Sequence, residues 1–312
     1  MSVNNKILYI GRFAPSPSGP LHFGSLVAAV ASYLCAKINN GKWLLRIEDI
    51  DTQRKQKGAS QLIIESLEAY GFEWSGDIRF QSQHLEDYQD ALSSLGNFTF
   101  ECSCTRKSLK MTTATGKFPP IYPKFCRERI TNPENKIFST RLRSDIKLCN
   151  QTLSFKELCQ NTYFKQDLEQ DVGDFILRRT DGLFAYQLAV VVDDYIQGIT
   201  HIVRGADLFD NTPRQLYLQC LLEYDKQPIY LHFPVVVNPD GKKLSKQSWS
   251  PQISHSKKRD TLILALRFLG QNPPPSSDFS TVDDIWSWSV KNWNSSNIPK
   301  TLTQAIPNHY ER

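Results

Sequence analysis

Residues 11–25, GRFAPSPSGPLHFGS, confine three prolines and three glycines to one short stretch between an apolar run, KILYIG (6–11), and a helix-periodic one. Proline fixes φ and has no amide hydrogen to donate, so this stretch can continue neither a central strand nor a helix. It is a stiff elbow between the two. After it, Leu26, Val27, Val30, Leu34 and Ile38 recur at helical spacing and Asn-Asn-Gly closes the run. KWLLRIED (42–49) then reads as a second strand, and ASQLIIESLEAYG (59–71) as a helix ending on glycine. Strand, elbow, helix, strand and helix in this order predict a right-handed parallel α/β unit.

The alternation resumes with strands at 174–179, 199–205 and 229–237 and helices at 186–197 and 212–225. The predicted architecture is a Rossmann-like, doubly wound parallel sheet. Residues 1–97 and 173–247 form the two halves of a nucleotide-binding catalytic domain, with an inserted subdomain at 98–172. Residues 248–312 form a short helical C-terminal region, helical and polar after Lys246. It carries a Pro/Ser linker, QNPPPSSD (271–278), and a Trp-rich amphipathic segment, VDDIWSWSVKNW.

The insertion is chemically distinct. From Thr105 to Lys147 it has eleven Lys and Arg against three acidic residues, a local excess larger than the +5 of the whole chain. Such a patch suits a phosphate-rich partner, or is a solvated face. Its CSC (102–104) sets two thiols close together, as a zinc site requires, or as free thiols. The seven cysteines are odd in number and irregularly spaced, which argues against a secreted disulfide framework. Cys35, Cys149, Cys159 and Cys220 read as reduced packing residues. The longest near-apolar run, LVAAVASYLCA (26–36), is too short to span a bilayer, and no apolar leader is present, so the expected location is cytoplasmic, with no membrane contact.

In a doubly wound sheet, ligands bind where strand ends meet helix N-termini, because unpaired amides and the helix dipole favour anions there. The elbow lies at that place, with His22 at the mouth of the helix. Neither Gly-x4-Gly-Lys-Ser/Thr nor Gly-x-Gly-x-x-Gly occurs, which argues against a P-loop and a dinucleotide fingerprint. Far along the chain, DGKKLSKQS (240–248) offers lysines on a loop suited to growing phosphate charge, or a solvated turn.

Together HFGS (22–25) and KLSKQ (243–247) resemble the two signatures of class I aminoacyl-tRNA synthetases. RFAPSPSGPLHFGSL and LLRIEDID (44–51) are similar to the glutamyl branch, and within it to the glutamyl-queuosine tRNA(Asp) synthetases, truncated paralogues without an anticodon-binding domain. The resemblance implies that Arg12, Phe13, Ala14, Pro15, Ser16, Glu48, Tyr186 and Arg204 hold L-glutamate. It assigns ATP to His22, Gly24, Ser25, Lys243, Ser245 and Lys246, with His22, Gly24 and Lys246 in catalysis. One zinc ion per chain would sit on Cys102, Cys104, Tyr122 and Cys126, and Mg²⁺ would accompany ATP. The implied reaction is activation of glutamate as its adenylate without tRNA, then transfer to queuosine at the wobble position of tRNA(Asp), by a monomer. A short glutamyl-tRNA synthetase charging a 3′ end and a non-catalytic RNA-binding paralogue are the rival readings.

Overall fold

The computed structural model describes residues 8–110, 121–128, 138–149, 152–238 and 253–306. The first apolar run gives β1 (Ile10–Phe13), and the elbow leads into α1 (Phe23–Ile38). β2 (Lys42–Ile47), α2 (Ala59–Ala69), β3 (Arg79–Phe80) and α3 (Leu85–Ser94) follow. β1, β2 and β3 form a parallel sheet, with Phe13 opposite Leu45.

The next segment contains β4 (Thr99–Cys102), α4 (Arg106–Lys110), β5 (Ser139–Leu142), the hairpin β6 (Thr152–Glu157) and β7 (Thr162–Asp167), and α5 (Leu168–Asp171). Then come β8 (Phe175–Arg178), α6 (Tyr186–Ile196), β9 (His201–Gly205), α7 (Thr212–Leu221) and β10 (Ile229–Phe233). β10 is parallel to both β9 and β6, so the hairpin extends the second parallel sheet, while β8 pairs with β5 in a separate antiparallel sheet. The two parallel sheets meet where the Thr200 amide donates to the Ile10 carbonyl (2.9 Å) and the Ile10 amide to Thr200 Oγ1 (2.8 Å). β1 thus has β2 on one side and β9 on the other. This is the switch point at which a doubly wound sheet opens a crevice.

Apolar cores cover both faces. On one, Leu26, Val30 and Leu34 of α1 meet Trp43 and Leu45 of β2; on the other, Leu188 and Val191 of α6 meet Leu216 and Tyr217 of α7. Among the described residues no helix is long and apolar enough to cross a membrane.

Several details differ from the sequence reading. The run 229–237 is two strands, because Pro234 cannot donate to a ladder; β11 (Val235–Val237) pairs instead with β12 (Thr303–Ala305). The region after Lys246 is not uniformly polar. α8 (Lys258–Phe268) buries Leu262, Ile263, Leu264 and Leu266, and α9 (Val282–Asn292) inserts Trp286 against Tyr33 and Phe72. The Pro/Ser stretch between them is held down: Gln271 is buried, its side chain bonded to Leu269 and Asn294 carbonyls. Cys149 and Cys220 are joined by a disulfide rather than reduced, stapling the end of the basic segment to α7. Their 71-residue separation left no local signal for the pairing.

Candidate active site and cysteine cluster

A cavity of about 820 Å³ opens at the carboxyl ends of β1, β2 and β9. The elbow contributes Arg12, Phe13, Ala14, Pro15, Ser16, His22, Gly24 and Ser25 to its wall; Glu48 follows β2, Tyr186 opens α6 and Arg204 comes from β9. The sequence reading therefore brings eleven of its candidate residues into one cleft. Lys243, Ser245 and Lys246 lie outside the described residues.

The elbow ends on a formed cap. His22 Nδ1 accepts from the Ser25 amide (3.3 Å), and its Nε2 lies 3.1 Å from Ser25 Oγ. A β-carbon on Gly24 would stand 3.2 Å from the His22 ring, so glycine there leaves the imidazole its place beside the helix mouth. Gly19, at φ 140°, occupies backbone space that side chains avoid. The elbow thus brings the N-terminal end of α1 to the cavity wall, where the helix dipole favours anionic oxygen.

Beneath it lies a network that the sequence reading missed. Arg12 Nε donates to Asp194 Oδ1 (3.1 Å), and Arg46 Nη2 stands 2.8 Å from the same oxygen. Arg46 also lies 3.6 Å from Asp193 and 3.7 Å from Glu48. Asp193 in turn accepts from Arg79 (2.7 Å), Gln81 (2.7 Å) and Tyr88 (2.9 Å). Burial would raise the Asp194 carboxyl, but Arg12 and Arg46 hold it below the usual carboxylate range. Of the acids in RIEDID, Asp49 is spent on Ser82 and Lys55, and Asp51 on Arg54 and Arg179. Glu48 faces the cavity. Burial pushes its carboxyl up to about 7, reinforced by Asp194 and Asp193 and opposed by Arg46 and Arg12.

Arg204 is held differently. Its donors go to neutral acceptors: His232 Nε2 (3.1 Å), Gln215 Oε1 (2.8 Å), Thr212 Oγ1 (2.8 Å) and the Leu208 carbonyl (3.3 Å). Among the described residues no carboxylate pairs with it, although it is buried. Such a cation favours an anion arriving from the cavity. The cleft therefore sets a guanidinium that no carboxylate among the described residues pairs, and a carboxyl poised near neutrality, around a helix N-terminus.

In the basic segment, the sulfurs of Cys102, Cys104 and Cys126 lie within 4.8 Å of one another. The Tyr122 hydroxyl joins them, 3.3 Å from Cys102 Sγ and 3.8 Å from Cys104 Sγ, and accepts from the Cys126 amide (3.0 Å). Arg141 lies 4.2 Å over the Tyr122 ring. Burial works to raise the Cys126 thiol, but hydrogen bonding by Tyr122, the Ser103 backbone and the other two cysteines lowers it to about 7. Three convergent sulfurs and one oxygen are a donor set able to hold a metal ion. Not every nearby cation is free for a partner: Arg127 is bound to Asp174 and Asp145, and Arg143 to Asp145.

The sequence model of the class I tRNA synthetases (E and Q), catalytic domain, matches residues 10–304. The chain is 45% identical to a glutamyl-Q tRNA(Asp) synthetase of Pseudomonas fluorescens, over 97% of this chain and 98% of that protein. It is 44% identical to one of Aromatoleum aromaticum, over 96% and 93% of the respective chains. Among solved structures it superposes on a glutamate-tRNA synthetase of Elizabethkingia anophelis with a TM-score of 0.77 at 22% identity, covering 96% of this chain and 68% of that one. A glutamate tRNA ligase of Elizabethkingia meningosepticum, in complex with its amino acid, gives 0.76 at 22% identity over 96% and 67%. At that identity the likeness is one of fold.

Proposed function

The chain belongs to the class I tRNA synthetases of the glutamate and glutamine branch, and from that premise we propose that its cavity joins L-glutamate to ATP and passes the glutamyl group to queuosine in tRNA(Asp). The observation that carries this reading is the meeting, in one cleft, of Arg204, which no carboxylate among the described residues pairs, and Glu48, whose nearest cation, Arg46 at 3.7 Å, is shared with Asp193 and Asp194. Glutamate offers the complement: carboxylates for the arginine and an ammonium for Glu48. The relatives' shared name, glutamyl-Q tRNA(Asp) synthetase, supports the acceptor.

In this reading no covalent bond to the protein forms. A carboxylate oxygen of glutamate attacks the α-phosphorus of ATP in line, pyrophosphate leaves, and a hydroxyl of queuosine then attacks the acyl carbon and releases AMP. The chain's part is positioning and electrostatics. Glu48, Tyr186, Arg12 to Ser16 and Arg204 hold the amino acid. His22, Gly24, Ser25 and the amides of α1 face the phosphates, with Lys243, Ser245 and Lys246 supplied by the KLSKQ loop. Mg²⁺, bound with ATP, would supply positive charge to the phosphate oxygens. Cations of the basic segment, exposed Lys107 and Lys147 among the described residues, take the anticodon stem-loop. The protein acts as a monomer in the cytoplasm, where ATP and tRNA are available. Pyrophosphate exchange into ATP, driven by glutamate with no tRNA present, tests the first half: exchange is expected, and a strict requirement for tRNA would return the chain to the ordinary glutamyl reading.

A pH dependence follows from Glu48. Only its charged form attracts the substrate ammonium, and its carboxyl stands at about 7. The glutamate KM is therefore expected to climb by up to about tenfold per unit as pH falls below 7 and to level off above it. Glu48→Gln should raise KM at pH 8 and flatten the profile. A profile for the unaltered protein that is flat between pH 6 and 8 would remove Glu48 from this role.

For the metal, Cys102, Cys104, Cys126 and Tyr122 would hold one zinc ion, which when bound would cross-link the cluster and have no part in the reaction. Cys102→Ser is expected to lower zinc content well below one per chain by elemental analysis and to loosen the basic segment towards proteolysis. Unchanged zinc would dissolve the site.

A further inference from the structure

Arg204, His232 and Glu157 stand on three adjacent strands of one sheet, β9, β10 and β6. Arg204 and His232 are direct cross-strand partners, and β6 joins β10 through the register Glu157 with Tyr230. The arginine Nε–H can only donate, so His232 Nε2, 3.1 Å away, must be the acceptor. The ring proton then resides on Nδ1, which lies 3.5 Å from Glu157 Oε1 without forming a hydrogen bond to it. The Glu157 carboxylate is fully buried and held in place: Oε1 accepts from the His232 amide (2.6 Å) and Oε2 from the Gln160 amide (2.6 Å). Phe209 packs edge-on against the imidazole at 5.0 Å, so the ring has little freedom to turn. Burial keeps this imidazole neutral, down at about 4, although Glu157 pulls the other way.

We propose that Glu157 and His232 are positioning residues for the amino-acid site: the carboxylate, bonded to the His232 amide and set beside Nδ1, anchors the residue that carries the imidazole, and the imidazole fixes the plane in which Arg204 presents its guanidinium to the substrate carboxylate. The inference rests on the reading of Arg204 given above. It also explains why a buried anion sits one residue behind a buried cation without touching it. Direct pairing, as between Arg12 and Asp194, would neutralise the guanidinium; a neutral imidazole between them orients Arg204 and leaves its charge for the ligand.

Glutamate and ATP KM values from pyrophosphate exchange test this, with Arg204→Ala measured alongside. His232→Leu, which removes the acceptor, is expected to raise the glutamate KM by about tenfold or more with the ATP KM nearly unchanged. His232→Gln, whose amide oxygen can accept from Arg204, should recover most of that loss. Glu157→Gln should raise the glutamate KM several-fold in the same selective way, and it carries the test if His232→Leu does not fold. Equal changes in both KM values, or His232→Gln faring no better than His232→Leu, would reduce the pair to packing and overturn the proposal. A large effect of Arg204→Ala with none from His232→Leu overturns the positioning role alone. No effect of Arg204→Ala on the glutamate KM overturns the underlying reading of the site and the proposal with it.

Discussion

Asp194→Ala is expected to cost about 3–5 kcal/mol of folding stability, because it removes one partner from a buried ionic cluster and leaves the others charged. Asp194 is the direct partner of Arg12 at 3.1 Å and lies 2.8 Å from Arg46, and all three side chains are almost wholly out of water. Asp193 cannot substitute, since its oxygens already serve Arg79, Gln81 and Tyr88. Arg12 would lose its carboxylate and Arg46 its nearest one. Asn at the same position retains an acceptor but no charge and should fall between. Urea denaturation with an unchanged m-value checks this. A loss below about 1 kcal/mol would mean that water reaches the cluster and that the elbow is held in place by its prolines alone.

The second large effect is functional. Arg204→Ala is expected to raise the glutamate KM by roughly a hundredfold, equivalent to about 3 kcal/mol, while the ATP KM moves little; the neutral acceptors it leaves unpaired lower the unfolding midpoint as well. The selectivity follows from the geometry: the donors of Arg204 reach neutral acceptors, so its removal strands no buried carboxylate bonded to it. Truncation thus takes away substrate attraction without creating an unpaired charge, the reverse of the Asp194 case. Arg204→Lys should recover little, because an ammonium cannot reproduce the planar fork that His232, Gln215 and Thr212 hold in place. A variant whose glutamate and ATP KM values rise together would place Arg204 in the scaffold rather than at the ligand.

The parts of the site that the sequence made legible are those whose chemistry is local. Proline and glycine between an apolar run and a helical one mark the elbow by their own dihedral limits, and His22 falls at the cap because the helix must begin after Pro20. Glu48 is conspicuous as a charge at the end of an apolar strand. Asp193 and Asp194 carry no such mark. They end an apolar helical run, where acids ordinarily face water, and become buried only because Arg12, Arg46 and Arg79 arrive from far earlier in the chain. Glu157 is hidden for the same reason: its partner His232 is 75 residues away, and the connection exists only once β6 lies beside β10. The Cys149–Cys220 bridge belongs to that class too. The apolar spacing of α8 was readable, but its flanking Lys, Arg and Asp gave a polar impression that the packing against α1 reverses.

On the proposed reading, one cleft activates glutamate and delivers it to a modified base rather than to a tRNA 3′ end. Transfer of labelled glutamate to tRNA(Asp), with queuosine or with guanine at the wobble position, tests it most directly. Label is expected only on the queuosine-bearing tRNA, surviving removal of the 3′-terminal adenosine. Label on both tRNAs, or label lost with that adenosine, would contradict it.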